Sequence, residues 1–357
     1  MIGSATLGDL WTLRRKPRNQ VMLYNQIMLA RPYRRVWFLI RCLLEGNGSD
    51  GLTLMYREPG VRAAIQSIGR SKRPEQDIVL MAIYSARCRH ITDHDIWFRL
   101  LEQLCIQAGH HHIQRLYAAL SQGHEELREV FRQLGFDNYT QQSILRLEGP
   151  DWDQGTTFAP MRSQSHRDVW AIHKLYGAIT PRLVQHVEAR ESRTWVLPRG
   201  QGRQLRQRGW IMGPDDDLMA YLQLTSGVIG HIFTLLLRPE HRDITTDILR
   251  FGLGQIPDSQ PVYLLLRDYQ REILLPAGDL GFQPIGEQML LCKRTTVAER
   301  GSVILKPALE PSLESHAPVP TILPHRSDAQ SYDRTTRHHQ QHRSTTGGSS
   351  STHSAES

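Results

Sequence analysis

Residues 114–145, QRLYAALSQGHEELREVFRQLGFDNYTQQSIL, and residues 260–291, QPVYLLLRDYQREILLPAGDLGFQPIGEQMLL, are one segment written twice, 146 residues apart and alignable without a gap. Gln114, Tyr117, Leu120, Glu126, Leu134, Gly135, Phe136, Gln142 and Leu145 recur as Gln260, Tyr263, Leu266, Glu272, Leu280, Gly281, Phe282, Gln288 and Leu291. Nine identities in 32 positions exceed the roughly two that ordinary residue usage supplies by chance. A period this long marks two copies of a whole domain, because solenoid units repeat every ~20–50 residues.

The length agrees, since 357 residues make about two domains and a remainder. The copies are read as residues 1–148 and 166–296, joined by a polar, turn-rich linker over 149–165 in which Pro150 and Pro160 stop both neighbours. The remaining residues, 297–357, form a tail that turns to Ser, Thr, His, Pro and Gly from Pro307 onward. Such a composition buries too little apolar surface to offset the chain entropy lost on ordering, so the tail is predicted to be disordered.

Periodicity predicts an α/β order in both copies. In the first, Val36–Ile40, Leu52–Tyr56 and Asp77–Tyr84 read as strands. A helix follows over His94–Ala108, its apolar face made by Ile96, Trp97, Leu100, Leu101, Leu104 and Cys105 and its end set by Gly109. Then come a strand (Ile113–Leu120), a helix (Glu125–Leu134) stopped by Gly135, and a last strand or hairpin (Tyr139–Leu147). The second copy reads as a helical region over Asp168–Val187 broken by Pro181, with strands at Thr194–Leu197, Gly209–Met212, Leu218–Leu224 and His231–Leu237. After these come a helix (Ile244–Ile256), a strand (Pro261–Leu266), a helix (Gln270–Leu280) and a last strand (Gln283–Cys292). Helices interleaved with strands predict a layered α/β domain.

Several function classes are excluded by what the chain lacks. No GxSxG, Walker-A, HExxH or GxGxxG pattern is present. Cys42, Cys88, Cys105 and Cys292 lack CxxC spacing and read as small hydrophobes of a reducing compartment. Neighbouring histidines in a turn, His110-His111-His112, do not converge on one centre, and His338, His339 and His342 fall in the tail, so no metal is predicted. The longest apolar runs fall well short of the ~20 residues that span a bilayer, and Asp9 interrupts any secretory signal, so a cytoplasmic protein without membrane contact is expected. Residues 1–73 hold thirteen Lys/Arg against four Asp/Glu. Without zinc-finger spacing, an RNP-like strand or a basic heptad, this excess reads as a solvated surface and not as a nucleic-acid site.

Strand, helix, strand, helix, then Leu-Gly-Phe entering a last strand, resembles the C-terminal half of the GNAT superfamily of N-acetyltransferases, with Gly135-Phe136 and Gly281-Phe282 matching its Gly-Phe mark. The stretch Arg238-Pro239-Glu240-His241-Arg242 is similar to that family's exit from the central strand toward the pyrophosphate loop. The resemblance covers nearly all of residues 9–295. It implies two tandem GNAT-like domains, each a mixed, mostly antiparallel sheet with a splayed central strand flanked by helices. It implies acetyl-CoA as cofactor, lying along the central strand at Leu236 and Leu237, with its pyrophosphate at the next helix N-terminus beside Arg242, Thr245 and Thr246. His231 and His241 are the candidate general bases for an amine acceptor, which the sequence does not name.

The residues depart from that pattern in both copies. No glycine lies between Ser85 and Gly109 or between Gly230 and Gly252, so neither loop has the freedom that lets backbone approach a phosphate. Asp93, Asp95, Asp243 and Asp247 would face a pyrophosphate with like charge, at ~1 kcal/mol or more per close pair. The resemblance implies a general-acid Tyr four residues before the Gly of Gly-Phe, yet those positions hold Phe131 and Ala277. Tyr117 and Tyr263, which repeat in register, read as core aromatics. Two functions are therefore expected: an acyl-CoA-dependent N-acetyltransferase with at most one competent half, the C-terminal one favoured, or a catalytically inactive binding or interaction module.

Overall fold

Ile78–Ile83 offers no polar face to water, and in the structure it is the middle of a strand buried on both sides. The computed structural model describes residues 1–295 except 24–25, 46–50, 71–72, 87–89, 150–159, 199–204 and 257, together with the backbone alone at 41–45. The tail, most of the linker and the Cys42 and Cys88 side chains lie outside the described residues.

The first half runs β1 (Ile2–Ser4), α1 (Leu10–Arg14), β2 (Asn19–Met22), α2 (Ile27–Ala30), α3 (Arg35–Glu45), β3 (Gly51–Glu58), β4 (Val61–Gly69), β5 (Glu75–Ala86), α4 (Asp93–His110), β6 (Arg115–Ser121), α5 (Glu125–Gln133) and β7 (Asp137–Leu147). The second runs β8 (Arg162–Ser163), α6 (Val169–Ile179), α7 (Arg182–Glu188), β9 (Arg206–Met212), β10 (Ala220–Ser226), β11 (His231–Leu237), α8 (Thr245–Leu253), β12 (Val262–Arg267), α9 (Leu274–Asp279) and β13 (Gln283–Arg294). Both halves lie within one compact unit, Met1–Glu299.

The expected order of elements holds with three corrections. Val36–Ile40 is part of α3, because Leu39 packs with Leu13 of α1 and with Met55 and Ala64 of the sheet, and this tertiary contact overrides the local β-type composition. Thr194–Leu197 begins as a short 3₁₀ turn that buries Trp195. Helix α4 runs through Gly109 to His110, and the chain reverses at His112, whose φ is 56°. Strand β4, with Ala63 and Ala64 in its middle, carries too weak an alternation to have been expected.

The sheet runs β1-β3-β4-β5-β6-β13-β7-β12-β11-β10-β9-β8, with β2 on β5. Strands β6 and β7 of the first half are therefore not neighbours, because β13 of the second lies between them. In the same way β7 lies between β12 and β13. The exchange is symmetric in register: Gln288 pairs with Ser121 and Gln142, while Gln142 in turn pairs with Arg267 and Gln288. Gln142 and Gln288, one repeat apart, face each other on a local twofold and join by a side-chain hydrogen bond of 3.3 Å.

Apolar burial follows the exchange. Each half keeps a core between its own sheet and its own helices, α4 and α5 in the first, α8 and α9 in the second. On the opposite face α7 of the second half lies on Tyr117, Tyr139 and Leu290, drawn from both halves. Ala30 of α2 packs on Ile144, Ile232 and Leu265. Gly227 and Gly230 take that contact, since a Cβ at either would press on the backbone of Leu29 or Ala30.

Candidate functional site

The parallel pairs β5/β6 and β11/β12 each hold together over three residues and then part. In the first half the last pair is Asp77 with Tyr117, and in the second it is Phe233 with Leu264. Each wedge is the slot into which the GNAT resemblance places a cofactor strand, and each is bridged by a side chain. In the second half the buried Gln270 amide donates to the Leu235 carbonyl of β11 at 2.8 Å and accepts from the Arg267 N–H of β12 at 3.2 Å. It replaces the ladder bonds that the splay removes. In the first half the Arg70 guanidinium binds Asp77 of β5 through Nη2 at 2.6 Å and lies 3.7 Å above the Tyr117 ring of β6.

The helix starts beyond the wedges are capped from within. Thr92 and Asp95 form a capping box on α4, with Asp95 N–H donating to Thr92 Oγ1 at 3.1 Å and Thr92 N–H to Asp95 Oδ2 at 3.0 Å. These bonds, from the Thr92 backbone first, hold the Asp95 carboxyl below its ordinary range. Asp93 beside it binds Arg18 and Asn19. Before α8 the chain makes a 3₁₀ turn over Pro239–Ile244, and the buried Thr245 hydroxyl donates to the Arg242 carbonyl at 2.6 Å.

Of the sequence candidates, Arg242, Thr245 and Thr246 are brought together at the start of α8, with Arg242 exposed and Thr246 half-buried. Leu236 and Leu237 sit on the free end of β11, with side chains buried toward α6 and toward α8 respectively. His241 is half-buried in the exit turn. His231 is at the other end of β11, about 20 Å away along the strand. There it is 1% exposed and its Nε2 pairs with Asp258 Oδ1 at 2.8 Å. Phe131 and Ala277 are buried in the two helix-side cores. Tyr117 donates its hydroxyl to the Val187 carbonyl at 2.9 Å, whereas Tyr263 packs near Ile232. Among the described residues no three His, Cys, Asp or Glu side chains converge as a metal site, and no helix is long and apolar enough to cross a membrane.

A further polar constellation lies elsewhere, in a cavity of about 450 Å³ on the α7 face of the sheet, walled by both halves. Glu188, at the end of α7, is its hub. Its carboxylate accepts from Arg190 Nε at 2.7 Å, from Arg267 Nη2 at 3.0 Å and from the Tyr176 hydroxyl at 3.1 Å. Burial pushes this carboxyl up, but the charges of Arg190, Arg267 and Arg70 outweigh it and hold the group down at about 2. Burial drives Tyr139 the other way, to about 12, so it stays a neutral phenol. Arg73 reaches from the first half to the carbonyls of Glu188 and Ala189 at 3.1 and 2.8 Å and fixes the hub from behind. Gln270, Arg70, Glu188, Arg190 and Arg267 had no signal in the sequence: none repeats at the 146-residue spacing and none belongs to a motif.

The strand order, the two splayed parallel pairs and the helix positions are the arrangement that the GNAT resemblance implies. No protein-family model and no curated protein matches the sequence. Solved structures similar to it include a tandem GNAT protein from the clavulanic acid biosynthesis pathway, 13% identical over 76% of this chain and 90% of that one, at a TM-score of 0.44. A GCN5-related N-acetyltransferase from Sphaerobacter thermophilus is 10% identical over 83% and 96%, at 0.47, and another from Kribbella flavida 12% identical over 71% and 92%, at 0.40.

Proposed function

We propose that the chain is a GNAT-fold binding module that has kept the architecture of an acyltransferase without its chemistry. The observation that carries this reading is Gln270: a pantetheine arm entering the second wedge must break two buried hydrogen bonds, each worth about 1 kcal/mol net, and leave their partners to be satisfied again. In the first half the acidic cap of α4 occupies the anion position with Asp93 and Asp95. Neither Phe131 nor Ala277 has a proton for a departing thiolate, a role worth about 10²- to 10⁴-fold in rate. Binding then falls to the cavity between the halves, where charged and aromatic groups converge.

A second reading, an acyl-CoA-dependent N-acetyltransferase acting through the C-terminal half on an amine, draws on Arg242. It is exposed beside α8 and makes no ion pair among the described residues. Calorimetric titration of the protein with acetyl-CoA decides between them. No heat of binding is expected at about millimolar cofactor, whereas binding at about micromolar levels that is lost in Arg242→Ala would establish the acyltransferase reading.

A further inference from the structure

The cavity has a charge and a donor left over. Its walls carry three guanidinium groups, Arg70, Arg190 and Arg267, against two carboxylates, Asp77 and Glu188. Asp77 is matched by Arg70 through a two-nitrogen contact, and Glu188 is shared between Arg190 and Arg267. Among the described residues that line the cavity, one positive charge is thus in excess. It is centred on Arg267, whose side chain is 12% exposed: Nη2 holds Glu188, while Nη1 is buried and has no hydrogen-bond partner among the described residues. A buried guanidinium with half its fork unmet is costly unless an acceptor completes it.

The rest of the wall describes the body of the ligand. The cavity is also lined by Ile68, Ile78, Leu205 and Ile232 and by Gln142 and Gln223, with Gln142 the cross-strand partner of Arg267 on β7. We propose that this cavity binds a small organic monocarboxylate, its carboxylate on Arg267 Nη1 and its apolar body between those side chains. A single negative charge brings the walls to neutrality. A phosphate dianion would leave an excess negative charge in a buried space, which is disfavoured. The inference rests on reading the chain as a binding module.

The test is titration of the full chain with hexanoate, hexanamide and hexyl phosphate, followed by calorimetry. Hexanoate is expected to bind at least about tenfold more tightly than either analogue. That binding should fall by about tenfold or more in Arg267→Gln and in Ala119→Leu, where the new side chain fills the cavity from β6 and leaves every charge in place. Should Arg267→Gln fail to fold, Ala119→Leu decides alone, with its fold checked by thermal melting. The proposal is overturned by no hexanoate binding at about 10 mM, by equal binding of hexanamide, by tighter binding of hexyl phosphate, or by unchanged binding in Ala119→Leu. Because no titrant contains CoA, failure here leaves the acetyl-CoA result standing, and acetyl-CoA binding would leave this result standing.

Discussion

Glu188 concentrates on one carboxylate what the two halves share. It is 3% exposed and is held by Arg190 from its own loop and by Arg267 from β12. Arg73, from the first half, binds its carbonyl. Replacing it with glutamine leaves two guanidinium groups facing a neutral amide in a buried site, so Glu188→Gln should lose about 3–5 kcal/mol of unfolding free energy in denaturant melts at neutral pH. The carboxyl sits at about 2 in the folded chain, below its ordinary 4.5. A group depressed on folding binds its proton more readily in the unfolded chain, so its stabilisation is complete above about pH 4.5 and is lost as pH falls toward 2. Unfolding free energy of the native chain should therefore drop across that window, and the variant should show a shallower drop. A similar ion pair occurs once in each half: Arg57 of β3 binds the Asp9 carboxylate, and Arg162 of β8 binds that of Asp168. Arg57 follows Asp9 by 48 residues and Arg162 precedes Asp168 by 6, so only the folded sheet shows that the two aspartates are held alike.

At the scale of elements, legibility followed periodicity. Helices α4 and α5 were readable from the helical recurrence of their apolar residues and strands β5 and β11 from short continuous apolar runs, and Gly135 and Gly281 end their helices at positive φ, 75° and 89°. Helix α3 was not, because Val36–Ile40 has strand-like composition and is helical only through contacts with α1 and the sheet. The cap of α4 belongs to this scale too. Thr92→Ala removes the acceptor of the Asp95 N–H and should lower stability by about 1 kcal/mol, as read from a denaturant midpoint. A change near zero would mean that the acidic first turn is satisfied by solvent alone.

At the scale of the molecule, the exchange of β7 and β13 makes the two copies one folding body. A first half alone would present β6 and β7 with a gap between them, leaving unpaired edges on both sides. Residues 1–154 expressed alone should aggregate, and the same fragment co-expressed with residues 155–357 should elute with it as a one-to-one complex in size-exclusion chromatography. A monodisperse, folded 1–154 fragment would contradict the exchange. The exchange also creates the cavity, since its walls come from β4 to β6 on one side and from α7 and β9 to β12 on the other.

The sequence by itself determined the duplication and the order of most helices and strands, because each is written in local periodicity and in the repeated segment 114–145 and 260–291. It also determined that no glycine lies between Ser85 and Gly109 or between Gly230 and Gly252 and that Phe131 and Ala277 stand four residues before the repeated Gly-Phe, which are matters of residue identity. Only the tertiary structure decided which half each last strand joins, what bridges the wedges and where the spare positive charge lies. Those outcomes depend on residues far apart in the chain, such as Arg73 and Glu188 at a separation of 115, meeting in the folded molecule, and no local pattern encodes such a meeting.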